Sequence, residues 1–235
     1  MHSPPRPPRA RVPFLLTGLV CAALSLVVLV LVALAWSPLM SLDTAVAEAL
    51  HRRAVTEPGL VHANRVLTDW VWDPWTMRVL TAAVVITLWW RGSRLLAGWV
   101  AATSLFATLV QQGLKAAVGR ERPRWVDPVD SAHYAAFPSG HVMTAAVTCG
   151  LLLWLLRLHG AQAPLWWGSL ALAVISVAGV AYTRVYLGVH WLSDVVGGVV
   201  LGATVVALSV AGYTGYARRT RPAGGGGDGD GDAPL

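Results

Sequence analysis

His190 and Asp194 stand four residues apart, a spacing that puts both on one face of a helix. An aspartate so placed accepts the proton of one imidazole nitrogen, fixes the tautomer and leaves the other nitrogen as a free nucleophile. Pro138-Ser139-Gly140-His141 reads as a helix start, with Ser139 as N-cap and Gly140 letting a ligand approach bare amides. Amides at a helix N-terminus hold anions, and His141 beside them could protonate a departing oxygen as general acid. Lys115, Arg122 and Arg184 add three cations. Arginine forks two phosphate oxygens, whereas lysine acts as a mobile point charge. Together the parts compose a phosphoryl-transfer site in which cations neutralise charge, so no metal or other cofactor is expected. No cluster of carboxylates or of Cys and His suggests a metal either.

Each part taken singly has a plainer reading. His190–Asp194 could be a capped helix with an exposed pair, and Ser139 a simple cap. The cations could form an interfacial loop attracted to anionic headgroups, the role expected of Arg120 and Arg124. His133 is the reserve candidate for the acid.

The elements that must hold these residues follow from composition. Hydrophobic residues make up 55% of the 235-residue chain and charged ones 13%, against roughly 25% charged in a soluble domain. Mean hydropathy is +0.57. A soluble fold of this size could not hide so much apolar surface, and disorder is excluded for the body of the chain. The net charge of +6 lies in short clusters at the ends of apolar runs, which fits membrane topology and phosphate better than nucleic acid. Cys21 and Cys149 fall inside apolar runs and read as core hydrophobes.

The expected class is all-α, a polytopic bundle of six transmembrane helices at about 14–36, 74–90, 95–112, 140–156, 165–182 and 193–212. Residues 1–13 are expected to be a tail, 14–213 the six-span domain, and 214–235 a disordered tail. Residues 37–70 read as a loop with an amphipathic helix on the membrane surface. Six spans put both termini on one side and all three chemical segments at the opposite face. The short connections on the terminal side carry nine basic residues and, before the Asp-rich tail, no acidic ones, but the opposite side also carries nine. Reserving several of the latter for chemistry and discounting the long first loop puts the termini in the cytoplasm. Trp36, Trp70, Trp72, Trp89, Trp90, Trp166, Trp167 and Trp191 sit near span ends, as in an aromatic belt.

The three segments, in order, resemble the signature of the type 2 phosphatidic acid phosphatase family: K-x6-RP from Lys115 to Pro123, PSGH from Pro138 to His141, and SR-x5-H-x3-D through Arg184, His190 and Asp194. Thr183 stands where that family usually has Ser. The resemblance implies a haloperoxidase-like helical core and a phosphohistidine intermediate on His190. It also implies leaving-group protonation by His141, phosphate held by Lys115, Arg122, Ser139, Gly140 and Arg184, and no metal. The expected function is hydrolysis of a lipid phosphate or lipid pyrophosphate at the outer face of the cytoplasmic membrane, with membrane lipids as surroundings and no nucleic-acid partner. Polyprenyl diphosphate, phosphatidic acid, phosphatidylglycerol phosphate and a phosphorylated polyprenyl sugar all fit. The alternatives are a vanadate-dependent haloperoxidase, whose relatives are soluble, and a non-catalytic anionic-lipid-binding protein or transporter, which would leave His141, His190 and Asp194 idle.

Overall fold

The computed structural model describes residues 11–220, and among these all regular structure is helical, with no strand and with one long loop at 119–139. The elements are α1 (Arg11–Ala33), α2 (Ser37–Ala54), α3 (Pro58–Val66) with a π-helical turn after it (Leu67–Val71), α4 (Pro74–Trp90), α5 (Arg94–Val118), α6 (Gly140–Leu158), α7 (Ala163–Tyr186) and α8 (Leu192–Arg219).

Five helices are long and apolar enough to cross a membrane: α1, α5, α6, α7 and α8. The expected span at 74–90 forms α4, whose 17 residues reach about 26 Å at the α-helical rise, short of a hydrocarbon core of about 30 Å. The outer surfaces require lipid. On α1 alone Leu16, Leu19, Val20, Leu24 and Leu26 are exposed, and each such side chain gains about 1.5–3 kcal/mol on leaving water. The chain is therefore a multi-pass membrane protein.

The helices overrun the expected tails. Residues 11–13 already belong to α1, and α8 continues to Arg219. It continues because Tyr213 packs edge-on against Trp99 and Trp154, and Thr214 and Gly215 are buried beside it. The rest of both tails lies outside the described residues. Residues 37–70 depart further from expectation, forming two helices folded onto the bundle instead of one lying on the membrane. Asp43, Ala47 and Ala54 form the buried stripe of α2, and Val61 and Asn64 that of α3, packed against α7 and, for α2, α8. Trp36, Trp70, Trp89, Trp90 and Trp167 are exposed at helix ends. Trp191 instead donates its indole N–H to the Glu121 carbonyl, 2.9 Å away, and Trp72 lies against Gly179.

The centre of the bundle is α8, lying along α1 on one side and α6 on another, over a core that includes Val100, Met143, Leu151, Trp154 and Val210. Its approach to α6 is backbone to backbone. A Cβ added at Gly198 would lie 2.9 Å from the Ser139 carbonyl oxygen, so only glycine lets the first turns of these helices touch. The Ser139 amide then donates to the Asp194 carbonyl at 3.0 Å.

Gly198→Ala should force the two turns apart at a cost of about 1–3 kcal/mol, read as a lower melting temperature in detergent. Gly113→Ala, where nothing lies within 4 Å, is the control and should leave the melting temperature unchanged. Equal melting temperatures for the two variants would show that the α6–α8 contact does not need its glycine.

Candidate active site

Helix α7 ends in a Schellman turn: the Val189 amide donates to the Arg184 carbonyl at 3.3 Å, and the Gly188 amide to the Val185 carbonyl at 3.0 Å. Gly188 takes φ 69°, a conformation open to glycine at little cost. This turn reverses the chain between Arg184 on α7 and Asp194 on α8 and leaves His190 in the gap, 1% exposed.

Asp194 occupies the third position of α8 and has no exposed surface. Its Oδ2 accepts from the Trp191 amide at 2.9 Å, capping the helix, and faces His190 Nδ1 at 3.3 Å. The second contact sets Nδ1–H and leaves Nε2 with its lone pair. Nε2 faces Arg122 Nη1 at 3.1 Å, so the free nitrogen points at a cation that binds anions.

Ser139 stands at the N-cap of α6, as the sequence implies, but its hydroxyl caps nothing. Ser139 Oγ and Arg184 Nε are both buried and have no hydrogen-bond partner, and oxygens of a phosphate would supply partners for both. Arg184 is otherwise held near Thr68 Oγ1 at 3.4 Å and is 4% exposed. Arg122 is fixed by the carbonyls of Tyr134, His133 and Val189, and Lys115 Nζ donates to the Ala135 carbonyl. His141 lies in the first turn of α6, within electrostatic reach of Arg184, His190, Arg122 and Lys115. Lys115, Arg122, Ser139, Gly140, His141, Arg184, His190 and Asp194 thus converge from four helix ends and one loop. Thr183, by contrast, turns its hydroxyl back to the Val180 carbonyl of its own helix. His133 is exposed. Among the described residues no group of three or more His, Cys, Asp or Glu gathers as a metal site would require.

Burial first, then the charges of Arg122, Arg184 and Lys115, hold the His190 imidazole well below its ordinary pKa of 6.5, opposed by a hydrogen bond to the Ala136 backbone. The ring is therefore neutral, as a nucleophile must be.

Two residues of this site escape a reading of the motifs. Arg120 is not an interfacial lipid-binding side chain. It is 10% exposed, with Nη1 2.6 Å from Asp194 Oδ1 and Nη2 2.6 Å from Asp43 Oδ2. Asp43, from α2, also accepts from the Ser193 amide at 2.8 Å. The sequence held one signal: Asp43 shares a helical stripe with Ala47 and Ala54, and a carboxylate on an apolar stripe needs a buried cation. Arg124 does remain exposed, paired only with Glu121 at 3.2 Å.

Beside the site runs an apolar groove of about 550 Å³ between α4, α5 and α6, lined by Thr81, Val85, Leu105, Thr108, Gln111 and Met143. Its Gln111 end abuts Gly140, where an added Cβ would meet Gln111 Nε2 at 2.6 Å.

The profile of the PAP2 superfamily matches residues 95–217. A decaprenylphosphoryl-5-phosphoribose phosphatase of Mycobacterium tuberculosis is 32% identical over 184 residues, which cover 75% of this chain and 95% of that one. An undecaprenyl-diphosphatase of Sulfolobus acidocaldarius is 43% identical over 79 residues, only 32% of either chain. In fold, the chain is similar to a transmembrane PAP2 type phosphatidylglycerolphosphate phosphatase from Bacillus subtilis, with a TM-score of 0.75, 23% identity, and coverage of 87% of this chain and 99% of the other.

Because burial and three cations all disfavour its charged form, His190 should stay neutral as pH falls through 6.5 and protonate only in more acid solution. Nitrogen NMR of the labelled imidazole, in detergent, reads this directly. Arg122→Gln removes one of the cations and should move the titration upward. A His190 that titrates at the ordinary imidazole value in the unmodified protein would contradict this electrostatic account.

Proposed function

The chain belongs to the PAP2 superfamily, and on that premise we propose that it is an integral membrane phosphatase acting on a lipid phosphate or lipid pyrophosphate. The observation that carries the reading is the convergence of three cations on a buried His190 whose Nδ1 is engaged by Asp194 and whose Nε2 turns its lone pair toward Arg122. A lipid-binding or transport protein needs the cations but has no use for an oriented neutral imidazole.

In the proposed cycle the phosphate enters against Lys115, Arg122, Arg184, the Ser139 hydroxyl and the amides that open α6 at Gly140. Its oxygens take over the Arg122 fork and uncover His190 Nε2. Nε2 attacks phosphorus, the bond to the leaving oxygen breaks, and His141 donates the proton that oxygen needs. The products of this half are a phosphohistidine and the departing lipid, an alcohol from a monoester or a lipid monophosphate from a pyrophosphate. Water, deprotonated by His141, then attacks the same phosphorus and releases inorganic phosphate and free His190. Charge developing on the phosphoryl oxygens is met by fixed cations and amides, so the cycle runs without a metal.

The groove that reaches Gln111 and Gly140 supports a substrate with an apolar tail. Both matching relatives are named for polyprenyl-linked phosphates, one of them over nearly its whole length, which favours a polyprenyl carrier. We place the protein as a six-span protein with α4 as the sixth, shorter span, its termini in the cytoplasm and the 119–139 loop outside. With α4 counted, both termini fall on one side, and the basic residues of the short connections favour the cytoplasm for that side.

Assays of purified protein on a panel of lipid phosphates, with chelator present, should release phosphate fastest from a polyprenyl substrate. Loss of activity in chelator, restored by magnesium, would place the protein in a different mechanistic class. His190→Ala should abolish turnover on a lipid monoester, a lipid pyrophosphate and p-nitrophenyl phosphate alike. His141→Ala should lose about 10²–10⁴-fold on the monoester, less on the pyrophosphate, and least on p-nitrophenyl phosphate, whose leaving group departs without a proton. Uniform losses for His141→Ala would leave it a phosphate-binding residue only. A cysteine placed in the 119–139 loop should react with an impermeant thiol reagent on intact cells, and one placed in the C-terminal tail should not. The opposite labelling would invert the proposed topology.

A further inference from the structure

Asp194 spends its Oδ2 on His190 and the Trp191 amide, so what holds the carboxylate in place must act on Oδ1. Arg120 Nη1 sits 2.6 Å from that oxygen and 2.7 Å from Ser193 Oγ. The other arm of the guanidinium, Nη2, is 2.6 Å from Asp43 Oδ2 and 3.5 Å from Met40 Sδ. Asp43 in turn receives the Ser193 amide and hydroxyl, so α2 grips both the arginine and the first turn of α8. Arg120 also lies over the Trp191 ring, 5.6 Å from its centroid. Asp43 is 1% exposed and Asp194 has no exposure at all.

Two buried carboxylates around one guanidinium form an odd arrangement for mere packing. A single buried Arg–Asp pair would be neutral, whereas Asp43–Arg120–Asp194 carries a net negative charge inside the protein. That excess faces the site, where Lys115, Arg122 and Arg184 supply the opposite sign.

We propose that Asp43 and Arg120 are positioning residues for the nucleophile, acting through Asp194 to fix the tautomer and aim of His190. The inference rests on the phosphatase reading above. Asp43 anchors Arg120, Arg120 holds Asp194 ionised and oriented, and Asp194 holds Nδ1–H of His190. The anchor comes from α2, which precedes the part of the chain that the PAP2 superfamily profile matches. The charged and titratable groups that bear on Asp194 are Arg120 and Arg122 of the loop, Lys115 of α5 and His190, with Asp43 of α2 acting through Arg120, while Arg184 of α7 and His141 of α6 bear on His190.

The pair makes predictions of opposite sign for its two members. Arg120→Gln removes the nearest cation from Asp194, which then keeps its charge only at higher pH. The acid limb of kcat/KM should move upward and kcat should fall about 10–100-fold, the range for losing a residue that orients a catalytic group. Asp43→Asn leaves Arg120 to Asp194 alone, so the acid limb should stay or move downward while kcat falls through lost aim, with KM little changed. Arg120→Lys should restore the acid limb and part of kcat. Nitrogen NMR on His190 should show a single Nδ1–H tautomer in the unmodified protein and a mixture in Arg120→Gln.

Folded Arg120→Gln and Asp43→Asn proteins with unmodified kcat, pH profile and His190 tautomer would overturn the proposal. If Arg120→Gln does not accumulate, Asp43→Asn and Arg120→Lys decide, and unchanged kcat and tautomer in both would overturn it. An unmodified protein that releases no phosphate from any lipid would sink the phosphatase reading instead. The tautomer measurement needs no substrate, so the positioning claim is judged even then.

Discussion

A carboxylate that must stay charged inside a protein is the constraint around which this molecule is arranged. Removing a charge from water costs several kcal/mol even after the surroundings relax, and the cost is met only by close partners of opposite sign and by hydrogen bonds. Asp194 has no exposed surface, and it is surrounded accordingly: the Trp191 amide, the Arg120 guanidinium and the His190 ring all converge on its two oxygens. Those partners dictate much else. The amide fixes where α8 begins, the guanidinium ties the 119–139 loop to the bundle, and the second carboxylate on Arg120 ties α2 to the same point. The Ser139 amide reads the Asp194 carbonyl as well, so the phosphate-facing turn of α6 is registered against the same residue.

The cations serve two ends with one set of charges. Lys115, Arg122 and Arg184 make the site attractive to an anion, and they also oppose any positive charge on His190. Before substrate arrives, the imidazole is therefore held in its reactive, neutral form. In the proposed cycle a bound phosphate reverses the local sign, so a ring that becomes positive on forming a bond to phosphorus no longer faces uncompensated repulsion. The same fixed charges thus disfavour the imidazolium in the empty site and tolerate it in the occupied one, with no group having to move far.

Much of this was legible in the sequence, for a physical reason. The residues that converge on the candidate site lie at or near helix ends, where spacing along the chain is nearly spacing in space, so His190–Asp194, the Ser139–Gly140–His141 turn and the Lys115–Arg122 segment announce themselves. Apolar runs likewise mark the helices, although α4 is too short to pass the length that the other five meet. What spacing could not reveal was long-range pairing. Arg120 looks like any basic residue of a membrane-level loop until Asp43 is seen to lie beside it, and the two are 77 positions apart. Asp43 in turn sits in a segment whose mixed polarity reads as a surface helix, because its partners belong to α8 and to the loop and not to its own neighbourhood. Ser139 shows the converse. Its type and place say helix cap, yet the hydroxyl is left without a partner, and only the folded arrangement makes it available to a ligand.

The division of labour between the two ends of the chain bears on how such a site can vary. The groups proposed to meet phosphate stand on α5 through α8 and on the 119–139 loop, most of them buried or half-buried among one another. In the proposed arrangement the aim of His190 is referred through Arg120 to Asp43 on α2, outside the helices that carry the cations. The apolar groove belongs to α4, α5 and α6, and its Gln111 end abuts the α6 turn at Gly140. Changes in α2 can therefore adjust the set of the imidazole, and changes on the groove can adjust the tail that fits, without disturbing the residues that hold the phosphoryl group. On the proposed reading, the groups that meet the phosphate are in this way separated, in space and in sequence, from those that aim the imidazole and from those that line the groove.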